Sequence, residues 1–372
     1  MIERPVWAEI NLDAYHRNLN LIKEGLGSSR LCAVVKADAY GHGAEPLARE
    51  ALAAGASCLG VAIAAEGVSL RKTGITEPIF VMSLTPPELA YTAAGYGLEA
   101  AVADTACIKA LSEAAKALKT VAKVHLKIDT GMGRIGVRPD EAPAFARLIR
   151  GTERLELAGV FSHFADADNS DLSYTRMQLK AFLDACEAIE KSGVQIPVRH
   201  ISNSAAFLNL PEARLDMVRA GILTYGFDSQ RTVQTANAPK FSPVMTLKAK
   251  AAFVKNVNAG ESVSYGRRWT AGGPGRIASI PLGYADGYPR NLTNKGIVGV
   301  RGQNVPVRGT VCMDQFMIDV SQFGDFETGE EVIIFGSNGP SADELASLIG
   351  TINYEIVTRI GKRVPRVYVR DV

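Results

Sequence analysis

The sequence predicts an α/β protein: an N-terminal (β/α)8, TIM-like barrel over residues 1–235 and a mostly β C-terminal domain over residues 236–372. Three observations carry that expectation. Eight short apolar runs recur along the first part of the chain, helix-patterned segments separate them, and beyond about residue 235 those helical segments give out.

Taken in order, the apolar runs are Leu31–Val35, Cys58–Ile63, Ile79–Leu84, Glu99–Ala103, Ala122–Ile128, Leu157–Ser162, Arg199–Ser202 and Met217–Val218 with its flanks. Between them, Glu45–Ala54, Ala106–Leu118 and Tyr174–Lys191 repeat apolar residues at three-and-four spacing, the signature of a helix with one buried face. Strands alternating with helices imply parallel βαβ units, and eight such units fit a barrel of about 200 to 250 residues. An open doubly wound sheet shares that alternation and stays as the alternative. Thr235–Pro243 holds two prolines and interrupts the pattern as a domain boundary would. After it, Met245–Val257, Arg276–Leu282, Gly296–Val300, Val305–Val311, Phe316–Val320, Glu331–Phe335 and Arg366–Val369 read as strands, with one helix at Ala342–Ile349. The opening segment Val6–Asn11 is expected to pair with this β domain.

The composition, 47% hydrophobic and 22% charged over 372 residues, is that of a soluble globular protein. A formal net charge of +2 leaves no electrostatic footprint for nucleic acid or an anionic membrane, which points to a small-molecule site. Five scattered cysteines without a CxxC pair suggest reduced thiols, and neither a disulfide framework nor a zinc site. No run approaches the length of a membrane span and the N-terminus lacks a signal pattern, so a cytoplasmic location is expected.

Chemistry is sought where strand-like runs end, because barrel active sites sit at the carboxyl ends of the strands. Lys36 and Tyr40 follow the first run, Lys127, Asp129 and Arg134 the fifth, His163 the sixth, Ser202 to Ser204 the seventh, and Arg219 to Ile222 the eighth. A lysine delivered by an apolar strand loses hydration, which leaves more free amine to attack a carbonyl. By itself, though, the segment suits a solvated lysine closing a strand better. The serines and Gly221 could cradle a phosphate with backbone N–H groups, or could be ordinary turn chemistry with a helix N-cap at Ser202 or Ser204. Gly131–Gly136 matches G-x-G-x-x-G, but Arg138–Pro139 and Pro143 interrupt the helix a dinucleotide fingerprint needs. His163, Asp166 and Asp168 have no recognised metal spacing, and no metal is expected. Tyrosines at Tyr265, Tyr284, Tyr288 and Tyr354 sit in polar islands that hint at a site face.

Taken together, Ala33–Gly43 around Lys36, Lys127–Gly136, Ser162–Ala165, Arg219–Ile222, Tyr265–Gly266, Leu282–Tyr288 and Val311–Asp314 resemble the bacterial alanine racemases across nearly the whole chain. The resemblance implies a barrel followed by a β domain, assembled as a homodimer with shared sites, interconverting L- and D-alanine for cell-wall supply or alanine catabolism. It implies that Lys36 holds pyridoxal 5′-phosphate (PLP) and exchanges a proton on the D-face, and that Tyr265 from the partner subunit serves the L-face. Arg219 then faces the pyridine nitrogen, and His163 packs beside the ring. Tyr40, Ser204, Gly221, Ile222 and Tyr354 contact the phosphate. Arg134 and the partner subunit's Met313 contact the substrate carboxylate, with Asp314 in the same wall and Tyr284 as a supporting residue. His200 joins Arg219 in a supporting network, and Lys127 matches a lysine that family members can carry as a carbamate orienting Arg134. A related barrel acting on another amino acid, and a non-catalytic PLP-binding protein, are the competing expectations.

Overall fold

The computed structural model describes residues 4–227 and 240–371. The expected boundary near residue 235 therefore lies outside the described residues, while the pieces on either side are clear.

Strand β1 (Val6–Asn11) precedes eight parallel strands: β2 (Arg30–Val34), β3 (Cys58–Val61), β4 (Ile79–Leu84), β5 (Glu99–Val102), β6 (Ala122–Lys127), β7 (Leu155–Phe161), β8 (Arg199–His200) and β9 (Met217–Ala220). Each pairs with its neighbour in sequence, and β9 returns to pair with β2. That order closes a barrel, whereas a doubly wound sheet would reverse direction at a switch point. The last seam, between β8 and β9, is closed by Asp216 N donating to Arg199 O (3.2 Å) and Arg219 N to Ser202 O (3.1 Å). Helices cover the outside and side chains fill the inside, so β3 and β9 are buried throughout; β3 reads in sequence as an unbroken apolar run, and β9 does so except for Arg219.

The β domain is built on ten strands: β10 (Met245–Lys250), β11 (Phe253–Val257), β12 (Ser262–Val263), β13 (Trp269–Thr270), β14 (Gly275–Ile280), β15 (Ile297–Val300), β16 (Gln303–Arg308), β17 (Phe316–Asp319), β18 (Glu331–Phe335) and β19 (Arg366–Val369). A nine-stranded sheet runs in the order β11-β14-β17-β16-β15-β18-β10-β1-β19. Strand β1 does join it, antiparallel to β10 and parallel to β19, which ties the two ends of the chain together.

Four expectations need correction. The single stretch Met245–Val257 is two strands, because the chain changes neighbours at Ala251–Ala252: Gly329 N donates to Ala251 O, and Ala252 N donates to Ser279 O. A second helix, Asn353–Thr358, occupies what looked like a polar loop; with Ile352 extended before it and Ile356 and Val357 buried, packing outweighs its weak intrinsic propensity. No helix follows Gly131–Gly136 directly, as expected, but Pro143 is not what breaks it: it sits in the first turn of Ala142–Gly151, where a missing N–H costs nothing. The cap of Ser204–Asn209 is Asn203, whose side chain accepts from Ala206 N (2.9 Å), and neither Ser202 nor Ser204.

Candidate active site

A cavity of about 580 Å³ lies at the carboxyl ends of the barrel strands. Lys36, Tyr40, Arg134, His163, Ser204, Arg219, Gly221, Ile222 and Tyr354 all line it, so nine residues picked from separate loops meet in one place.

Lys36 lies two residues past the end of β2, and burial first, then the Arg134 guanidinium, lowers its pKa from the ordinary lysine value. The turn just after Lys36 was not legible in the sequence. Ala37, Asp38, Ala39 and Tyr40 all have φ near +50° (52, 53, 53 and 52°), one turn of left-handed helix made without a glycine. Such a turn costs about 1–2 kcal/mol per residue, so its surroundings must enforce it. They do. Glu66 Oε1 accepts from Ala37 N (2.7 Å) and Asp38 Oδ1 from Ala44 N (2.7 Å). The His42 ring donates through Nδ1 to the carbonyls of Ala39 and Tyr40 (both 3.0 Å). From the β domain, Arg366 donates to the carbonyl of Gly41 (2.9 and 2.8 Å), and Gly41 presses so closely on Asn353–Thr358 that a Cβ there would lie 2.4 Å from Val357 O. The turn carries the Tyr40 ring beneath the cavity, against Tyr225 (4.9 Å between centroids) and near Tyr354 (6.0 Å).

Opposite Tyr40, Gly221 N donates to Ser204 Oγ (2.9 Å), and Ile222 opens the 3-10 turn Ile222–Tyr225, so its N–H precedes the first intrahelical bond. A Cβ on Gly221 would sit 2.4 Å from the Tyr40 hydroxyl. Glycine is therefore needed to let that hydroxyl approach the backbone, and N–H groups and hydroxyls gather where an oxyanion could be held.

Arg219 is 4% exposed and donates to His200 Nδ1 (2.9 Å), His163 Nδ1 (3.2 Å) and the carbonyls of Ser162 (2.9 Å) and Ile201 (3.1 Å). Burial lowers its pKa to about 10, so it stays charged at neutral pH. Burial, then the cations Arg219, Lys127, Arg134 and Lys36, holds His163 well below the usual histidine value and hence neutral. Behind the cavity wall, Lys127 is buried over the Phe161 ring (4.9 Å to the centroid), and its Nζ donates to Ile128 O (3.3 Å). Burial first, then Arg219, pushes its pKa far down.

Tyr265, Tyr284, Met313 and Asp314 do not line this cavity. Tyr265 is 75% exposed and Met313 53% exposed on their own loops, while Asp314 pairs with Arg363 (2.7 Å), which also reaches the fully buried Asp286 (3.3 Å). Sequence reasoning missed Glu66 and Arg366. For Glu66 a signal existed, since a glutamate at the third position of a helix commonly binds backbone N–H groups ahead of it, as it does for Ala62 and Ile63. For Arg366 there was none.

Fold and site define the class: a two-domain barrel enzyme that presents a desolvated lysine, a buried arginine and an oxyanion cradle to one cavity. The family described as "Alanine racemase, N-terminal domain" matches residues 10–229, and "Alanine racemase, C-terminal domain" matches residues 244–368. The alanine racemase of Desulfovibrio desulfuricans is 48% identical over 368 residues, 99% of each chain, and that of Clostridium tetani 44% identical over 373 residues, 99% of this chain and 96% of the relative. Among solved structures, alanine racemase from D-cycloserine-producing Streptomyces lavendulae superposes with a TM-score of 0.94 at 39% identity, covering 100% of this chain and 99% of that one. That of Clostridium difficile 630 gives 0.96 at 39% identity, covering 100% and 97%. The chain belongs to the alanine racemase family, a family of PLP-dependent isomerases.

Proposed function

We propose that this chain racemises alanine with PLP held in the barrel cavity. The observation that carries the reading is the desolvated Lys36 amine facing the same cavity as Arg219 and the Tyr40–Ser204–Gly221–Ile222 cradle. The donor set fits the cofactor: a free amine for its carbonyl, N–H groups and the hydroxyls of Tyr40 and Tyr354 for its phosphate, and a cation for its ring nitrogen. When bound, PLP supplies the electron sink that makes the α-proton of alanine acidic.

The remaining chemistry belongs to the chain. Arg134 lines the cavity near Lys36 and can hold the substrate carboxylate, which fixes the α-carbon against the amine. Lys36 Nζ exchanges a proton on one face. Racemisation needs a second base on the opposite face, and two bases serve a flat carbon better than one that must cross it. Among the described residues that line the cavity, His163 is a poor candidate for that second base, because burial and Arg219 keep it from holding a proton. Tyr265, exposed on a β-domain loop, is suited to reach the site of a second copy, together with Met313. The active unit is then a homodimer with composite sites. Arg219 donates and cannot accept, so facing the ring nitrogen it would leave that nitrogen unprotonated and the sink weak, which would restrain side reactions. Lys127, a buried amine among Arg134 and Arg219, suits a carbamate that would return negative charge and orient Arg134. A 13C-carbonyl NMR signal from enzyme equilibrated with labelled bicarbonate, lost in Lys127→Ala, is the expected result.

The test of the reaction is polarimetry of L-alanine with purified protein and PLP: rotation should decay to zero, borohydride should fix the cofactor to Lys36, and a rotation that never changes would overturn the reading. A panel with serine and basic amino acids checks the related-barrel alternative.

A further inference from the structure

Arg219 is a buried cation whose hydrogen bonds go to imidazoles and backbone carbonyls, and a buried charge without an opposite charge nearby is strongly unfavourable. The barrel interior supplies a path to one. Guanidinium N–H groups only donate, so His200 Nδ1, 2.9 Å from Arg219 Nη1, must accept and the His200 proton must sit on Nε2. That Nε2 lies 2.9 Å from His125 Nδ1, which in turn must accept, leaving the His125 proton on Nε2, 3.0 Å from Glu99 Oε2. A doubly protonated His125 would aim a proton at the proton of His200. Every link therefore points one way, from guanidinium through two neutral imidazoles to a carboxylate.

Packing fixes both rings. Phe161 stacks on His200 at 5.2 Å and 11°, and Phe80 lies 4.4 Å from His125. A Cβ on Gly159 would lie 2.6 Å from His125 Nδ1, so glycine in β7 leaves the space that ring occupies. Burial, then Arg219, keeps His200 neutral. Burial opposes the charge on Glu99, but the hydrogen bond and electrostatic pull of His125, then the cations Lys123 and Arg71, outweigh it and hold the carboxyl below its usual value. Glu99 opens into a second cavity, about 250 Å³, at the amino ends of the strands, the end of the barrel away from Lys36.

We propose that Glu99 is a positioning residue for Arg219: from the far mouth of the barrel it supplies the guanidinium's counter-charge and, through His125 and His200, holds it in register with the active cavity. Its consequence for catalysis rests on the reading of Arg219 as facing the cofactor ring, whereas the chain of donors does not.

The experiment uses PLP-loaded enzyme with 15N-labelled histidine and long-range 1H–15N spectra, which separate the two imidazole tautomers. His125 and His200 should both be neutral with the proton on Nε2; a proton on Nδ1, or a doubly protonated ring at either position, would overturn the proposal. Glu99→Leu should shift both rings' signals and lower kcat about tenfold with little change in KM, the size expected for one hydrogen bond to a charged group. In Glu99→Gln the amide oxygen can still accept from His125, so the tautomers should survive while kcat falls a few-fold; wild-type kcat in this variant, which differs little in shape, would also overturn the proposal. Expected tautomers in a protein that racemises nothing would sink the functional reading and leave the chain of donors standing.

Discussion

At the carboxyl ends of the barrel strands, Lys36, Arg134 and Arg219 line one cavity with Asp168 as the single carboxylate among its lining residues. At the amino ends, Arg30 and Lys123 face Glu99 and Glu156 across a smaller one. The lower mouth neutralises itself, while among its described lining residues the upper mouth carries more cations than carboxylates. A phosphate and a substrate carboxylate have the charge to complete it. The same barrel thus builds one end for its own stability and the other for anions it does not contain.

The harshest way to break that contrast is to remove the amine. Lys36→Ala should lower kcat by about a thousandfold or more, the range for losing a positioned proton-transfer group. Racemisation measured by polarimetry checks it. Gly221→Ala attacks the cradle alone: the new methyl, 2.4 Å from the Tyr40 hydroxyl, must displace it. PLP affinity, followed by cofactor titration, should fall by about tenfold or more, the equivalent of one lost charge-assisted bond, with the folded protein intact.

Arg366→Ala tests what holds the upper mouth in shape. Its guanidinium donates to the carbonyls of Gly41 in the barrel and Ile360, Gly361 and Val364 in the β domain, and cutting these should cost about 3 kcal/mol in urea unfolding. The left-handed turn after Lys36 loosens with it, so PLP affinity should weaken too.

Acid should sharpen the contrast more gently. His42, pushed down to about 4 by burial, and His163 and His200, held far below their usual value, are neutral in the fold and take up protons on unfolding. The unfolded state then binds more protons, so stability falls as pH drops from about 6.5 toward 4, by up to about 1.4 kcal/mol per pH unit for each imidazole. Urea midpoints across that range check the sign. A midpoint flat over the same pH window would contradict these three buried neutral rings.

Much of this was legible in the residues because periodicity is local. Ile79–Leu84, Glu331–Phe335, Arg366–Val369 and the helix Ala342–Ile349 fall where their patterns put them, since short apolar-rich strands and one-sided helices write their environment into sequence. Most of the expected cavity-lining set was legible too, through positions just after strands. The left-handed turn was not: Ala37–Tyr40 contain no glycine and only Asp38 among residues that tolerate positive φ, and bonds from Glu66 and Arg366, far along the chain, impose it. Beyond the Arg219–His200 link that the resemblance implied, the path on to His125 and Glu99 was equally hidden, because it joins side chains of strands that become neighbours only when the barrel closes.

An upper mouth that one chain leaves incomplete is the central claim, and mixing two dead variants tests it most directly. Lys36→Ala and Tyr265→Ala proteins, each inactive alone, should after subunit exchange recover about a quarter of wild-type racemisation, because half the dimers are hybrids and each hybrid rebuilds one of its two sites. No recovery in verified hybrid dimers would mean that both groups act within one chain, or not together at all.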